Sequence, residues 1–135
     1  DFVIEAVFDL YQRSEDDSLD AEILELISQI NQRTVAENII HEVLHRKLGD
    51  KLAAMLNAIW QSRLDFHPHI KELMRFVPHE DYRVCMEALF IIEMNFIKAS
   101  TTDQQEILSQ LRKLATEAPD KAQQELIMSF IHKLD

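Results

Sequence analysis

Apolar residues recur at every third or fourth position along most of the chain, in runs separated by short polar segments. In the first run, Phe2, Val3, Ala6, Val7 and Leu10 fall on one stripe of a helix. Such spacing is typical of amphipathic α-helices, and no useful stretch shows the alternation that a half-buried strand requires. The pattern predicts eight helices, over about 2–13, 20–32, 34–47, 50–64, 68–77, 81–99, 102–116 and 119–135.

An aspartate opens an apolar helical run at four places: Asp20, Asp50, Asp81 and Asp120, at spacings of 30, 31 and 39 residues. Each of these runs follows another amphipathic run and a short polar break, so the unit is a helical hairpin used four times. Periods of this length indicate stacked helical repeats, in which each unit buries its face against its neighbours. We therefore predict an all-α fold, a right-handed α–α superhelix of about four antiparallel hairpins that forms one domain over residues 1–135.

Short-range signals mark several helix ends. Thr34 and Glu37 match a capping box, in which each side chain accepts a hydrogen bond from a backbone N–H at the start of the helix. Thr102 and Gln105 match a second, weaker one. Gly49 is predicted to end the third helix in the left-handed conformation.

Composition and charge narrow the classes of partner. A single glycine and three prolines favour long helices and few tight turns. The chain has 24 acidic and 14 basic residues, a formal net charge of −10. A nucleic-acid surface needs a concentrated basic patch, and the densest basic cluster, residues 45–47, is short. We therefore expect no nucleic acid and no anionic membrane surface among the partners.

The lone cysteine and the length of the apolar runs bear on the compartment. Cys85 excludes an internal disulfide, which fits a reducing compartment, and we predict a cytoplasmic location. Because Cys85 lies in an apolar run, we interpret it as a small buried residue and not as a nucleophile. No apolar segment reaches the length of a membrane span, so no direct membrane insertion is expected.

The ends of the chain favour a fragment. The sequence begins at Asp1, without a methionine, and enters an apolar run at once, as an excised piece of a longer protein would. In that case the end helices would expose Phe2, Val3, Phe130 and Leu134, which would normally pack on neighbouring repeats. Isolated copies would then pair as homodimers through these faces.

The sharpest catalytic signal is His41-Glu42-x-x-His45, an H-E-x-x-H pattern. On a helix, two histidines four positions apart share a face and can bind one zinc ion, with the glutamate as general base for a bound water. If the third and fifth helices lie side by side, His67 or His69 would approach as a third ligand. The alternative function is therefore a zinc-dependent hydrolase.

Neighbouring residues weigh against this alternative. Arg46 and Lys47 follow the motif, where zinc proteases usually keep uncharged residues, and Leu48 stands where the extended motif has glycine. The simpler interpretation is that His41 and His45 lie partly exposed beside the core stripe of their helix. We therefore predict no metal, no cofactor and no enzymatic activity.

Residues 68–89 resemble a HEAT repeat. The segment Pro68-His-Ile-Lys-Glu-Leu-Met is similar to the first helix of the family, which often carries a proline and an Ile-x-x-Leu stripe. The segment Glu80-Asp-Tyr-Arg-Val-x-x-x-Ala-Leu89 is similar to its turn and second helix. Cys85 stands where a second basic residue is frequent. The other three hairpins keep the aspartate and the apolar pattern without the Arg-Val pair.

The resemblance implies a HEAT-like or armadillo-like superhelix that binds proteins on its surface. Such domains occur as adaptors and as soluble regulatory modules of larger proteins, including membrane transporters. We predict a non-catalytic protein-interaction or scaffold domain. Its partner would be another protein or another part of its own full-length chain. A second alternative, beside the zinc-dependent hydrolase, is a soluble regulatory module of a larger membrane protein such as a transporter.

The predicted partner surface is the polar face of the second helix of each hairpin. One layer of equivalent helices would present a rigid, acidic surface to a basic or amphipathic partner. Its members are Glu22, Glu25, Asn57, Gln61, Glu87, Gln123 and Gln124.

Overall fold

A computed structural model describes residues 2–135. These residues form eight α-helices joined by short connections and contain no β-strand. The prediction of an all-α fold is confirmed. The helices are α1 (Phe2–Arg13), α2 (Asp17–Gln29), α3 (Ala36–His45), α4 (Leu52–Gln61), α5 (Ile70–Leu73), α6 (Tyr82–Phe96), α7 (Thr101–Thr116) and α8 (Lys121–Leu134).

The chain divides into two compact units, an N-terminal unit that ends at Phe66 and a C-terminal unit that begins at His67. Within the N-terminal unit, α1 packs against α2 and α3, and α2 packs against α4. Within the C-terminal unit, α8 packs against α6 and α7, and α5 packs against α6. The assignment of the whole chain to one domain stays a prediction.

Two of the four aspartates that open apolar runs cap a helix. The Asp81 carboxylate accepts a hydrogen bond from the N–H of Arg83 at the start of α6. The Asp120 carboxylate accepts one from the N–H of Gln123 at the start of α8. Each satisfies a backbone donor that the helix itself leaves without a partner.

The other two aspartates, Asp20 and Asp50, do not cap their helices. Asp16 opens α2, because its carboxylate accepts hydrogen bonds from the N–H groups of Ser18 and Leu19, so the helix begins before Asp20. Asp50 lies inside a 3₁₀ turn that leads into α4 without a side-chain cap.

Neither predicted capping box forms. A capping residue needs extended backbone, but Thr34 lies inside the 3₁₀ turn Arg33–Val35. At α7 the cap is Ser100, whose hydroxyl accepts from the N–H of Asp103, so this helix begins before Thr102.

Gly49 adopts the predicted left-handed conformation, with φ of 58°. It opens the 3₁₀ turn between α3 and α4. A side chain there would be strained by the backbone angle, although nothing lies within 4 Å of the position a Cβ would take.

Each unit contains its own natural reporter. Trp60, the only tryptophan of the chain, is half-buried in α4 of the N-terminal unit. Cys85, the only cysteine, is fully buried in α6 of the C-terminal unit, as predicted. Burial raises the pKa of the Cys85 thiol to about 11. Unfolding of the two units can therefore be followed separately, by fluorescence and by thiol labelling.

Among residues 2–135, no helix combines the length and the apolar character that crossing a bilayer requires.

Candidate functional site

An apolar groove of about 330 Å³ lies on the N-terminal unit, between α1 and the second half of α2. Each wall consists of three apolar residues at positions i, i+1 and i+4 of the sequence. Residues at this spacing share one face of a helix. The side chains of the two walls are Val3, Ile4 and Val7 from α1, and Leu26, Ile27 and Ile30 from α2 and its C-terminal end.

The groove has a buried floor and an exposed apolar rim. Ile4 and Ile27 are buried, whereas the side chain of Val3 is 65% exposed and that of Leu26 is 50% exposed. Phe2, next to Val3, is 89% exposed. Exposed apolar side chains scattered singly need no explanation, but several around one groove are typical of an interaction site.

Helix α2, which forms one edge of the groove, is acidic, although none of the described residues that line the groove itself is charged. Residues 14–32 carry six carboxylates and no lysine or arginine. Among the described residues, Asp20 pairs with Lys51, whereas Glu22 and Glu25 form no ion pair. Glu22 precedes Leu26 by four positions, so the two lie on the same side of α2. The N-terminal unit as a whole has 13 acidic and 6 basic residues.

Lys51 holds the corner between α1 and α2, which form the walls of the groove. Its Nζ donates to the carbonyl oxygens of Tyr11 and Ser14, each at 2.6 Å, and pairs with Asp20 Oδ2 at 3.2 Å. The Tyr11 hydroxyl donates in turn to the Lys51 carbonyl oxygen at 2.9 Å. A cation is favoured at this position because the last carbonyls of a helix lack partners and carry the negative end of its dipole.

Tyr11 makes the N-terminal unit sensitive to alkaline pH. Burial raises its pKa to about 12, and the negative charges of Asp20 and Asp50 act in the same direction. The folded pKa lies above the ordinary tyrosine pKa of 10.0, so this contribution to stability is complete below about pH 10. It is then lost as the pH rises toward the folded value.

We expect Tyr11→Phe to reduce the alkaline loss of stability. The variant lacks the hydroxyl bond to Lys51, so it should be less stable at neutral pH. Its urea midpoint, followed by Trp60 fluorescence, should nevertheless fall less than that of the native chain between about pH 9 and pH 11.5. Tyr82→Phe, an exposed tyrosine of the C-terminal unit, is the control. Parallel pH dependence of the native chain and Tyr11→Phe would refute the assignment.

The His41-Glu42-x-x-His45 motif lies on the exposed side of α3. The rings of His41 and His45 have centroids 4.3 Å apart. The carboxylate of Glu42 forms an ion pair with Arg46, in which Glu42 Oε1 lies 2.6 Å from Arg46 Nε. His69 belongs to the C-terminal unit, where its Nδ1 lies 3.0 Å from Glu72 Oε1.

Histidine, cysteine, aspartate and glutamate are the side chains of residues 2–135 that most often bind metal ions. No group of three or more histidine, cysteine, aspartate or glutamate side chains is placed to hold a metal ion there. The zinc-dependent hydrolase stays a prediction of the sequence. A hydrolytic zinc site requires three protein ligands and an open position.

Two residues of the predicted partner surface are buried. Glu87 is 4% exposed and Gln123 is 1% exposed, so neither can contact a partner protein. The sequence reasoning failed here because α6 is buried on more than one face and Gln123 has a structural role. The other members remain candidates: Glu22, Glu25, Gln61 and Gln124 are exposed and Asn57 is half-buried.

Gln123 joins α8 to the corner before α6. Its Nε2 donates to the carbonyl oxygens of Val77 at 2.9 Å and His79 at 2.8 Å. These carbonyls follow a 3₁₀ turn that ends at Phe76, so no helix supplies their hydrogen bonds.

The predicted apolar end faces are present at one end only. Phe2 and Val3 are exposed, but Phe130 is buried and Leu134 is half-buried. Phe130 packs edge-on against Phe90, with ring centroids 5.5 Å apart, within the C-terminal unit. Its inclusion among the exposed residues of an end helix was wrong.

Sequence reasoning missed the groove, although two signals were present. The apolar triplets of α1 and α2 have matching spacing, and the acidic stretch has no interleaved base. Neither signal reveals which face of a helix lacks a neighbour, because that depends on tertiary packing.

No protein-family model, no curated protein and no solved structure matches the chain. Its function has to be inferred from the chemistry and geometry of the site.

Proposed function

We propose that the chain is a non-catalytic protein-interaction domain whose groove binds a cationic amphipathic helix of a partner protein. The observation that carries this proposal is the apolar groove between α1 and α2 with an acidic edge along α2. Helix-in-groove recognition uses the apolar face of an amphipathic helix, read at helical spacing.

The apolar walls supply affinity. A volume of about 330 Å³ lies at the lower end of the range of ligand pockets, roughly 300–1,000 Å³. This volume accommodates a few side chains but not a whole helix. The partner helix would therefore lie along the groove and insert only its apolar side chains. Burial of Val3 and Leu26 by such a helix would remove exposed apolar surface from water.

The acidic edge supplies specificity for positive charge. The carboxylates of Glu22 and Glu25 are exposed and form no ion pair within residues 2–135, so cations of a partner can approach them. Complementary charge raises the association rate and disfavours acidic partners. We expect binding to weaken as salt is raised, because exposed charges are screened.

We further propose that the hairpins are HEAT-like. In such stacks the first helices of neighbouring hairpins pack together, and so do the second helices. Contacts of α1 with α3 and of α2 with α4 in the N-terminal unit support this arrangement. The contact of α6 with α8 in the C-terminal unit supports it as well.

Leu26→Asp is expected to weaken binding of a cationic amphipathic peptide by about tenfold or more, because it places a charge in the apolar groove. The probe is a labelled synthetic helix of leucine and lysine, about 18 residues or five turns long. Binding is measured by fluorescence anisotropy. The variant makes the protein more acidic, so attraction by charge alone would predict tighter binding.

Three controls separate the contributions. Met128→Asp adds the same charge at an exposed residue of the C-terminal unit and should leave binding unchanged. Glu22→Lys combined with Glu25→Lys should weaken binding of the cationic peptide while the apolar groove is intact. A twin peptide with glutamate in place of lysine should not bind. Equal binding of the two peptides, or an unchanged Leu26→Asp protein, would count against the proposal.

A further inference from the structure

We propose that His41 and His45 form a two-imidazole site for a late transition-metal cation, with Cu²⁺ the preferred ion. This site is independent of the groove and of hydrolytic chemistry. The rings lie on the exposed side of α3, four positions apart, with centroids 4.3 Å apart and planes tilted by 31°. Two histidines four positions apart on one face of a helix can both be ligands of a single ion.

A hydrogen bond sets the tautomer of His45. Its Nδ1 lies 2.8 Å from the carbonyl oxygen of His41. A carbonyl oxygen only accepts, so Nδ1 carries the hydrogen and Nε2 of the neutral ring carries the lone pair. A ligating histidine typically donates its other ring N–H to such a carbonyl, which fixes the orientation of the ring. The structure therefore holds His45 in the form that a metal ion binds.

Among residues 2–135, no third histidine, cysteine, aspartate or glutamate side chain is placed to join the pair as a ligand. Glu42 forms an ion pair with Arg46. The Nη1 atom of Arg46 also lies 3.4 Å from Oδ1 of Asp9. The carboxylate nearest in sequence thus has its own cation, and water would complete the coordination. Imidazole nitrogen suits copper, nickel and zinc, and among divalent ions of this row copper binds most tightly at a given site. Hard cations such as Mg²⁺ prefer oxygen ligands and should not bind here.

Binding should also stabilise the N-terminal unit. Two ligands on successive turns of α3 are in position only when the helix is folded, so an ion that bridges them favours the folded state. We expect Cu²⁺ to raise the urea midpoint of this unit and Mg²⁺ to leave it unchanged.

The test is calorimetric titration of the tag-free protein with Cu²⁺, together with electron paramagnetic resonance of the bound ion. We expect His41→Ala and His45→Ala each to weaken binding by about tenfold or more, because a chelate that loses one imidazole becomes a single-ligand site. Nitrogen hyperfine structure should change from two nitrogen ligands to one. His132→Ala, which removes an exposed histidine of α8, is the matched control and should bind as the native chain does.

Both histidines are exposed, so these variants should fold, and Trp60 fluorescence checks this. The proposal is overturned if either single variant binds Cu²⁺ as tightly as the native chain. It is equally overturned if the His132→Ala control loses the same affinity, since binding would then not depend on the pair.

Discussion

Lys51→Met is expected to lower the free energy of unfolding of the N-terminal unit by about 2–3 kcal/mol, since it removes a cation shared by several buried groups. The carbonyls of Tyr11 and Ser14 would lose a charged donor at 2.6 Å each. Asp20 would lose its ion pair, and its other carboxylate oxygen, Oδ1, already has no hydrogen-bond partner. The side chains of Lys51 and Asp20 are only 22% and 16% exposed, so water replaces the lost partner poorly.

The measurement is urea unfolding followed by Trp60 fluorescence, which reports on the N-terminal unit. Lys47→Met is the matched control, because it removes an exposed lysine that forms no ion pair within residues 2–135. The control should change stability by no more than about 0.5 kcal/mol. A Lys51→Met protein as stable as the control would show that Lys51 does not hold the α1–α2 corner.

Gln123→Leu is expected to destabilise the C-terminal unit by about 2 kcal/mol, because one buried and one partly buried carbonyl lose their donor while the side-chain volume stays similar. These are the carbonyls of Val77 and His79, at 2.9 and 2.8 Å from Nε2. Labelling of Cys85 occurs from an open state in equilibrium with the folded one. The change in free energy therefore raises the population of the open state, and with it the labelling rate, about 30-fold.

Labelling of Cys85 with an aromatic disulfide at constant pH measures this opening directly, because the thiol is fully buried in the folded unit. Gln124→Leu is the matched control, since it makes the same substitution at the exposed neighbouring position. Its rate should stay close to that of the native chain. Equal labelling rates for Gln123→Leu and Gln124→Leu would rule out the assigned role of Gln123.

The sequence predicts helices well where local signals are unambiguous. Helix α1 begins and ends as its apolar stripe indicates, and Asp81 and Asp120 cap their helices. Four acidic residues lie close together around the start of α2, and Asp16 forms the cap because its carboxylate accepts hydrogen bonds from two N–H groups. At Thr34 the backbone has already entered a 3₁₀ turn, which removes the extended geometry that a capping box needs.

The candidate site was predictable only in part. The acidic character of α2 and its apolar stripe are both visible in the sequence, and a basic or amphipathic partner follows from them. The place where such a partner binds is not visible, because the sequence does not show that Leu26 is half-exposed while the adjacent Ile27 is fully buried. Glu87 shows the converse, since a charged residue on a predicted polar face is buried by tertiary packing.

The most direct test of the proposed function is a titration of isotope-labelled protein with the cationic amphipathic peptide, followed by backbone amide chemical shifts. We expect the largest shifts at the groove, at Val7, Leu26, Ile30 and Val35, with smaller and salt-sensitive shifts at Glu22. Shifts confined to other parts of the chain, or the same shifts with the acidic twin peptide, would contradict a groove that selects cationic helices.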